Sequence, residues 1–139
     1  MPAARGATTL AVMVSRRIRI TAGSVAADAV LDDSATSRLV WDALPLAVAG
    51  ETWGDEVYFQ IPVHAKPEKP RATVELGDLA YWPPGSAFCI FFGRTPSSQG
   101  EEIRPASPVN VFGKLAGDPT IFKRVRSGTQ VKVERIQEA

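Results

Sequence analysis

Histidine and cysteine each occur once, as His64 and Cys89, and that scarcity removes several chemistries at the outset. A histidine-rich zinc or non-haem iron centre needs clustered ligands, whereas His64 stands alone in a proline-flanked polar stretch. No Ser–His or Cys–His pair has sequence support as nucleophile and base. A single thiol cannot build an internal disulfide and fits a reducing cytosol. Between Phe88 and Ile90, Cys89 reads as a small buried hydrophobe rather than a reactive thiol. No metal and no cofactor are expected.

Neither acidic nor basic residues are in excess. Lys and Arg number 16 against 15 Asp and Glu, so no clustered positive field stands ready to gather phosphates. Neither nucleic acid nor a membrane surface is expected as a partner. No apolar run approaches the length that crosses a bilayer. The run at 7–14 follows Arg5, holds two threonines, and ends in Ser15-Arg16-Arg17 rather than a small-residue cleavage site. The resulting expectation is a cytoplasmic protein with residues 1–13 as a disordered N-terminal extension, or with Met13 as the natural start. Residues 14–139 then form one domain, long enough to bury about two thirds of the unfolded chain's surface.

What is present is a series of short strand patterns. Ile18 and Ile20 alternate with Arg17, Arg19 and Thr21, the period of a half-buried strand. After Gly23-Ser24, the residues Val25, Ala27, Ala29 and Leu31 share one face. Asp32 and Asp33 are acceptors for first-turn amides, and a helix follows over about 34–43, with Ala35, Leu39, Val40, Ala43 and Leu44 on one side. Leu44-Pro45 closes it. Further strands are expected at 46–50, 55–63, 73–76, 79–82, 88–92, 109–115 and around Val131 and Val133. A short second helical segment is expected over about 119–124. Strands at this spacing with one early helix indicate a mainly β protein, a small barrel or sandwich.

Strand parity singles out the candidate site. In the strand around Val57, the side chains of Glu56, Tyr58 and Gln60 point opposite to Val57, Phe59 and Ile61. Two readings stand: a solvated outer face, or a concave surface where a few polar groups orient a ligand. Glu56 beside Tyr58 is a candidate proton acceptor if partly buried. The strand at 87–92 is apolar on both faces, so one face fills the barrel and the other takes a cover, the helix, or forms a cleft floor carrying Phe88 and Phe92. Residues 93–108 form a long connection in which Arg94 and Thr95 could hold an anionic group. Asn110 is a polar residue inside an apolar run, open to a backbone or a ligand role. The aromatic pair before Pro83 is compatible with a cis bond.

The segments GDLAYWPPGSAFCIFFGRTPSS at 77–98 and WGDEVYF at 53–59, with Ser107-Pro108-Val109-Asn110, together resemble an atypical cyclophilin-like family of small bacterial and archaeal proteins of unknown function. The resemblance runs from about Ile18 onward and implies a small closed cyclophilin-like β-barrel. Cyclophilins are peptidyl-prolyl isomerases, and typical members carry an arginine and an aromatic on one strand, then a Gln-Gly-Gly-Asp-like segment. Here Glu56 stands where a cation is wanted and no Gly-Gly-Asp follows, so the electric field at a bound imide is reversed. The leading expectation is binding of a small molecule or proline-containing peptide by Glu56, Tyr58, Gln60, Phe88, Phe92, Arg94, Thr95 and Asn110, without enzyme activity. A divergent isomerase using Arg94 and a protein-interaction scaffold are the alternatives, and self-association is left open.

Overall fold

The alternation at the start of the chain becomes strand β1 (Arg16–Ala22), which buries Ile18 and Ile20 completely and leaves Arg17 and Arg19 outside. The computed structural model describes residues 16–136, so the expected extension at 1–13 lies outside the described residues. Strand β2 (Val25–Leu31) returns along β1 after a two-residue turn. Helix α1 (Ala35–Ala43) is capped by Ser34, whose hydroxyl accepts from the Ser37 amide at 3.1 Å. The aspartates do not cap it directly; Asp32 instead accepts from the Ser34 amide at 2.9 Å, fixing the capping residue. Leu39, expected on the buried side, is 43% exposed, and the buried face runs through Thr36, Ser37 and Val40 to Leu44. The helix ends at Leu44-Pro45, which is the one cis peptide among the described residues; Trp82-Pro83 is trans.

Seven further strands follow: β3 (Leu46–Ala49), β4 (Glu51–Thr52), β5 (Glu56–Gln60), β6 (Asp78–Trp82), β7 (Ala87–Phe91), β8 (Asn110–Leu115) and β9 (Gln130–Arg135). All pair antiparallel in the order β3-β9-β1-β2-β8-β6-β7-β5-β4. The two edge strands are neighbours in sequence, separated only by Gly50. That glycine donates to the Thr129 carbonyl at 2.8 Å and accepts from Gly128 at 2.7 Å, so one segment seals both edges into a nearly closed barrel. A Cβ at Gly50 would lie 2.9 Å from Val131 and 3.2 Å from Val57, which is why the corner needs glycine. The strand expected at 73–76 is absent; Val74 makes only an isolated bridge to Ile103. A one-turn 3-10 helix covers Pro83–Gly85, and a two-turn 3-10 helix, capped by Asp118, covers Pro119–Arg124.

Two cores result. The barrel interior holds Phe59 stacked on Phe88 at 4.9 Å, with Phe112 edge-on to Phe88 at 5.2 Å. A smaller core lies on the outer face of β6 and β7, where Ala80, Ala87, Cys89 and Phe91 pack against Val74, Ile103 and Val109. The cover of that outer face is therefore the long connection and not the helix. No helix among the described residues is long and apolar enough to cross a membrane.

Candidate functional site

Pairing of β5 with β7 sets Tyr58 opposite Cys89 and Glu56 opposite Phe91, placing all four side chains on the outer face. The outer core does not fill this face completely. A cavity of about 280 Å³ remains beside it, walled by Glu56 and Tyr58 from β5, Cys89 from β7, Trp53 before β5 and Trp82 at the end of β6. Pro105, Ala106 and Val109 from the long connection complete the wall.

Each wall is fixed by local chemistry. The Trp53 amide donates to the Glu56 carbonyl at 2.9 Å, holding the tight turn ahead of β5. The Trp82 indole N–H donates to the Ser107 hydroxyl at 2.7 Å, joining β6 to the connection. Its six-membered ring lies over Gly85, where a Cβ would come within 2.7 Å of it. Residues 93–109 are folded back on themselves rather than left as an open rim. The Thr95 hydroxyl donates to the Arg104 carbonyl, and Ser98 Oγ accepts from the Thr95 and Arg104 amides at 3.1 and 3.2 Å. Glu102 accepts from the Gln99 and Gly100 amides, both at 2.8 Å, and these backbone bonds hold its carboxyl down at about 2.

Glu56 is the unusual wall residue. It is 6% exposed, and no Lys or Arg among the described residues pairs with it. Loss of hydration pushes its carboxyl up to about 7, and the neighbouring Cys89 thiol pulls the other way. Burial and the adjacent Glu56 carboxyl raise the Cys89 thiol well above its usual range, so it is not a poised nucleophile. No group of three His, Cys, Asp or Glu side chains among the described residues is arranged to hold a metal ion.

Of the residues expected at the site, Glu56 and Tyr58 come together at the cavity. Gln60 is exposed at the far end of β5, away from it. Phe88 and Phe92 face the barrel interior; Phe92 packs toward Phe122 at 6.1 Å. The Arg94 guanidinium donates to the Ser98 carbonyl at 3.2 Å and takes no part in the wall. Thr95 is buried within its own loop. Asn110 is a structural anchor: its carbonyl accepts from the Glu68 amide at 2.8 Å, and its NH2 donates to the Lys66 carbonyl at 2.9 Å and to Thr36 Oγ1 at 3.2 Å. Glu68 completes the tie by accepting from the Ala35 and Thr36 amides at the start of α1. Asn110→Ala is expected to destabilise the protein by about 2–3 kcal/mol, because buried groups lose their partners. Urea unfolding measures this, and faster hydrogen exchange at the Glu68 amide checks its cause.

The wall residues that strand parity at 56–60 did not reach are Trp53, Trp82, Cys89, Pro105, Ala106 and Val109. Cys89 was accessible to the same rule applied one strand over, where residues 87, 89 and 91 share the face of Glu56 and Tyr58.

The cyclophilin-like family model matches residues 16–134. A hypothetical protein of Archaeoglobus fulgidus, known from its solution structure, is 42% identical to this chain. The match covers 88% of this chain and 96% of that one, with a TM-score of 0.76. No curated protein matches. With a family match over nearly the whole described length and a structural relative of the same barrel, the chain belongs to the cyclophilin-like family.

Proposed function

We propose that this protein binds a small molecule, or one side chain of a short peptide, in the cavity between β5, β7 and the long connection, in a cytoplasmic setting. The carrying observation is a hollow of about 280 Å³ whose mostly apolar wall is interrupted by one buried carboxyl. Recognition sites are built this way, with an apolar surround supplying affinity and a few polar groups fixing orientation. The volume suits a single small ligand and not a folded partner. The wall chemistry favours binding over prolyl isomerisation. Twisting an imide calls for a cation at the prolyl amide, whereas the wall carries an acid and no basic group. Kinship with isomerases does not transfer their activity.

The three tryptophans make the test direct. Trp53 and Trp82 line the cavity, while Trp41 sits elsewhere with the Arg135 guanidinium 4.7 Å from its ring centre. In a nitrogen-15 NMR screen of small metabolites and proline-containing peptides, a true ligand is expected to move the Trp53 and Trp82 indole signals and leave Trp41 still. Ala106→Trp, at an exposed position on the wall, is expected to abolish those shifts without lowering stability. A screen in which no compound moves the two indoles, or ligand shifts that survive Ala106→Trp, would overturn the assignment.

A further inference from the structure

Three aromatic side chains and one carboxyl share the same small wall. Trp53, Tyr58 and Trp82 contribute rings, and Glu56 contributes the acid with no counter-ion among the described residues. Aromatic rings attract cations through the negative charge of their faces, most strongly for tryptophan. A desolvated carboxylate does the same at short range and far more strongly than in water. An anionic ligand would meet Glu56 with like charge. A neutral ligand would meet the acid in its protonated form, so only a cation draws on the carboxylate charge.

On the reading that this cavity is a ligand site, we propose that its ligand is a small organic cation, an alkylammonium group held by the Glu56 carboxylate and the Trp53, Tyr58 and Trp82 rings. The cation completes an ion pair that the fold leaves half-built. A quaternary ammonium is the simplest such cation, because it has no N–H to donate and is read by the carboxylate charge and the ring faces alone. The aromatic surround replaces the hydration that a quaternary ammonium holds only weakly.

Binding is coupled to proton release, because the cation takes the carboxylate form. Burial holds the empty site's carboxyl at about 7, so the affinity of a permanently charged ligand falls roughly tenfold per pH unit below 7 and levels off above 8. The titratable groups facing Glu56 are the Cys89 thiol on β7 and the Tyr58 phenol on its own strand. Trp53, Trp82, Pro105, Ala106 and Val109 carry none. Burial keeps Cys89 protonated across this window, and Tyr58→Phe separates the phenol from the profile.

The deciding experiment compares choline with its neutral carbon isostere, 3,3-dimethylbutan-1-ol, on the full chain, followed by calorimetry and by the Trp53 and Trp82 indole signals. Choline is expected to bind at least about tenfold more tightly than the isostere at pH 8 and to lose most of that advantage by pH 5. Glu56→Gln is expected to remove most of the advantage and all of its pH dependence, while Tyr58→Phe leaves the shape of the pH profile unchanged. Equal binding of the two probes, or a choline preference undiminished and still pH-dependent in Glu56→Gln, overturns the cation proposal but leaves a ligand site in place. So does silence from both probes when another compound moves the two indoles. Indoles unmoved by any compound overturn both the proposal and the reading beneath it.

Discussion

Glu56→Gln is expected to make the protein more stable at pH 8 and to flatten its stability between pH 5 and 8. A buried carboxyl raised from its ordinary value to about 7 binds its proton in the folded state where the unfolded chain has already released it. Stability therefore declines as pH rises through that window, and the full cost of ionising the buried acid applies above 7. At about 1.4 kcal/mol per pH unit, the displacement corresponds to roughly 3 kcal/mol. Glutamine keeps the shape and removes the charge, so most of that figure is expected to return at pH 8 and little of it at pH 5. Urea unfolding of both proteins at the two pH values measures it. Parallel curves for wild type and variant would mean that Glu56 is hydrated after all. The surface acids held low by hydrogen bonds, Asp28, Glu68 and Glu102, act in the opposite direction and in a lower window. The stability they add is lost as pH falls through their depressed values, outside the range of the comparison.

The second large effect belongs to Phe88→Ala, with an expected loss of about 3–5 kcal/mol. Phe88 is fully buried, stacked on Phe59 and edge-on to Phe112, so truncation opens a hole between two rings that cannot both close over it. Against a total of about 5–15 kcal/mol, this is a large share of what holds a domain together. Its neighbour makes the control. Cys89 lies on the opposite face of the same strand, against the outer cavity, and Cys89→Ala is expected to cost about 1 kcal/mol. Chemical denaturation of the pair tests the strand's orientation: similar losses at 88 and 89 would contradict it.

Much of the barrel was readable along the chain because alternation at Ile18–Ile20, Val57–Ile61 and Val131–Val133 has one physical source, an inner face that must be apolar. The strand at 87–91 was harder. It is apolar on both sides, so parity alone could not say which set faces the interior, and Phe88 and Phe92 were assigned to the cleft when Cys89 occupies it. Asn110 looked equally suited to a ligand or a backbone role, because its partners come from residues 36, 66 and 68, which no local pattern ties to it. Leu39 looked buried by helical spacing, yet the helix turns Thr36 inward, where its hydroxyl meets the polar anchor formed by Asn110 and Glu68. The tryptophans at 53 and 82 are brought together by sheet pairing and by a bond to Ser107, not by spacing.

The corner at Gly50 limits how this molecule meets others. Because the chain on either side of that residue zips to β9 in one direction and to β5 in the other, the described residues offer no long run of main-chain amides and carbonyls at this corner for an incoming strand to extend. Peptide capture by β-augmentation is thereby closed off, as is runaway edge-to-edge stacking. Whatever docks on this barrel must be recognised through side chains.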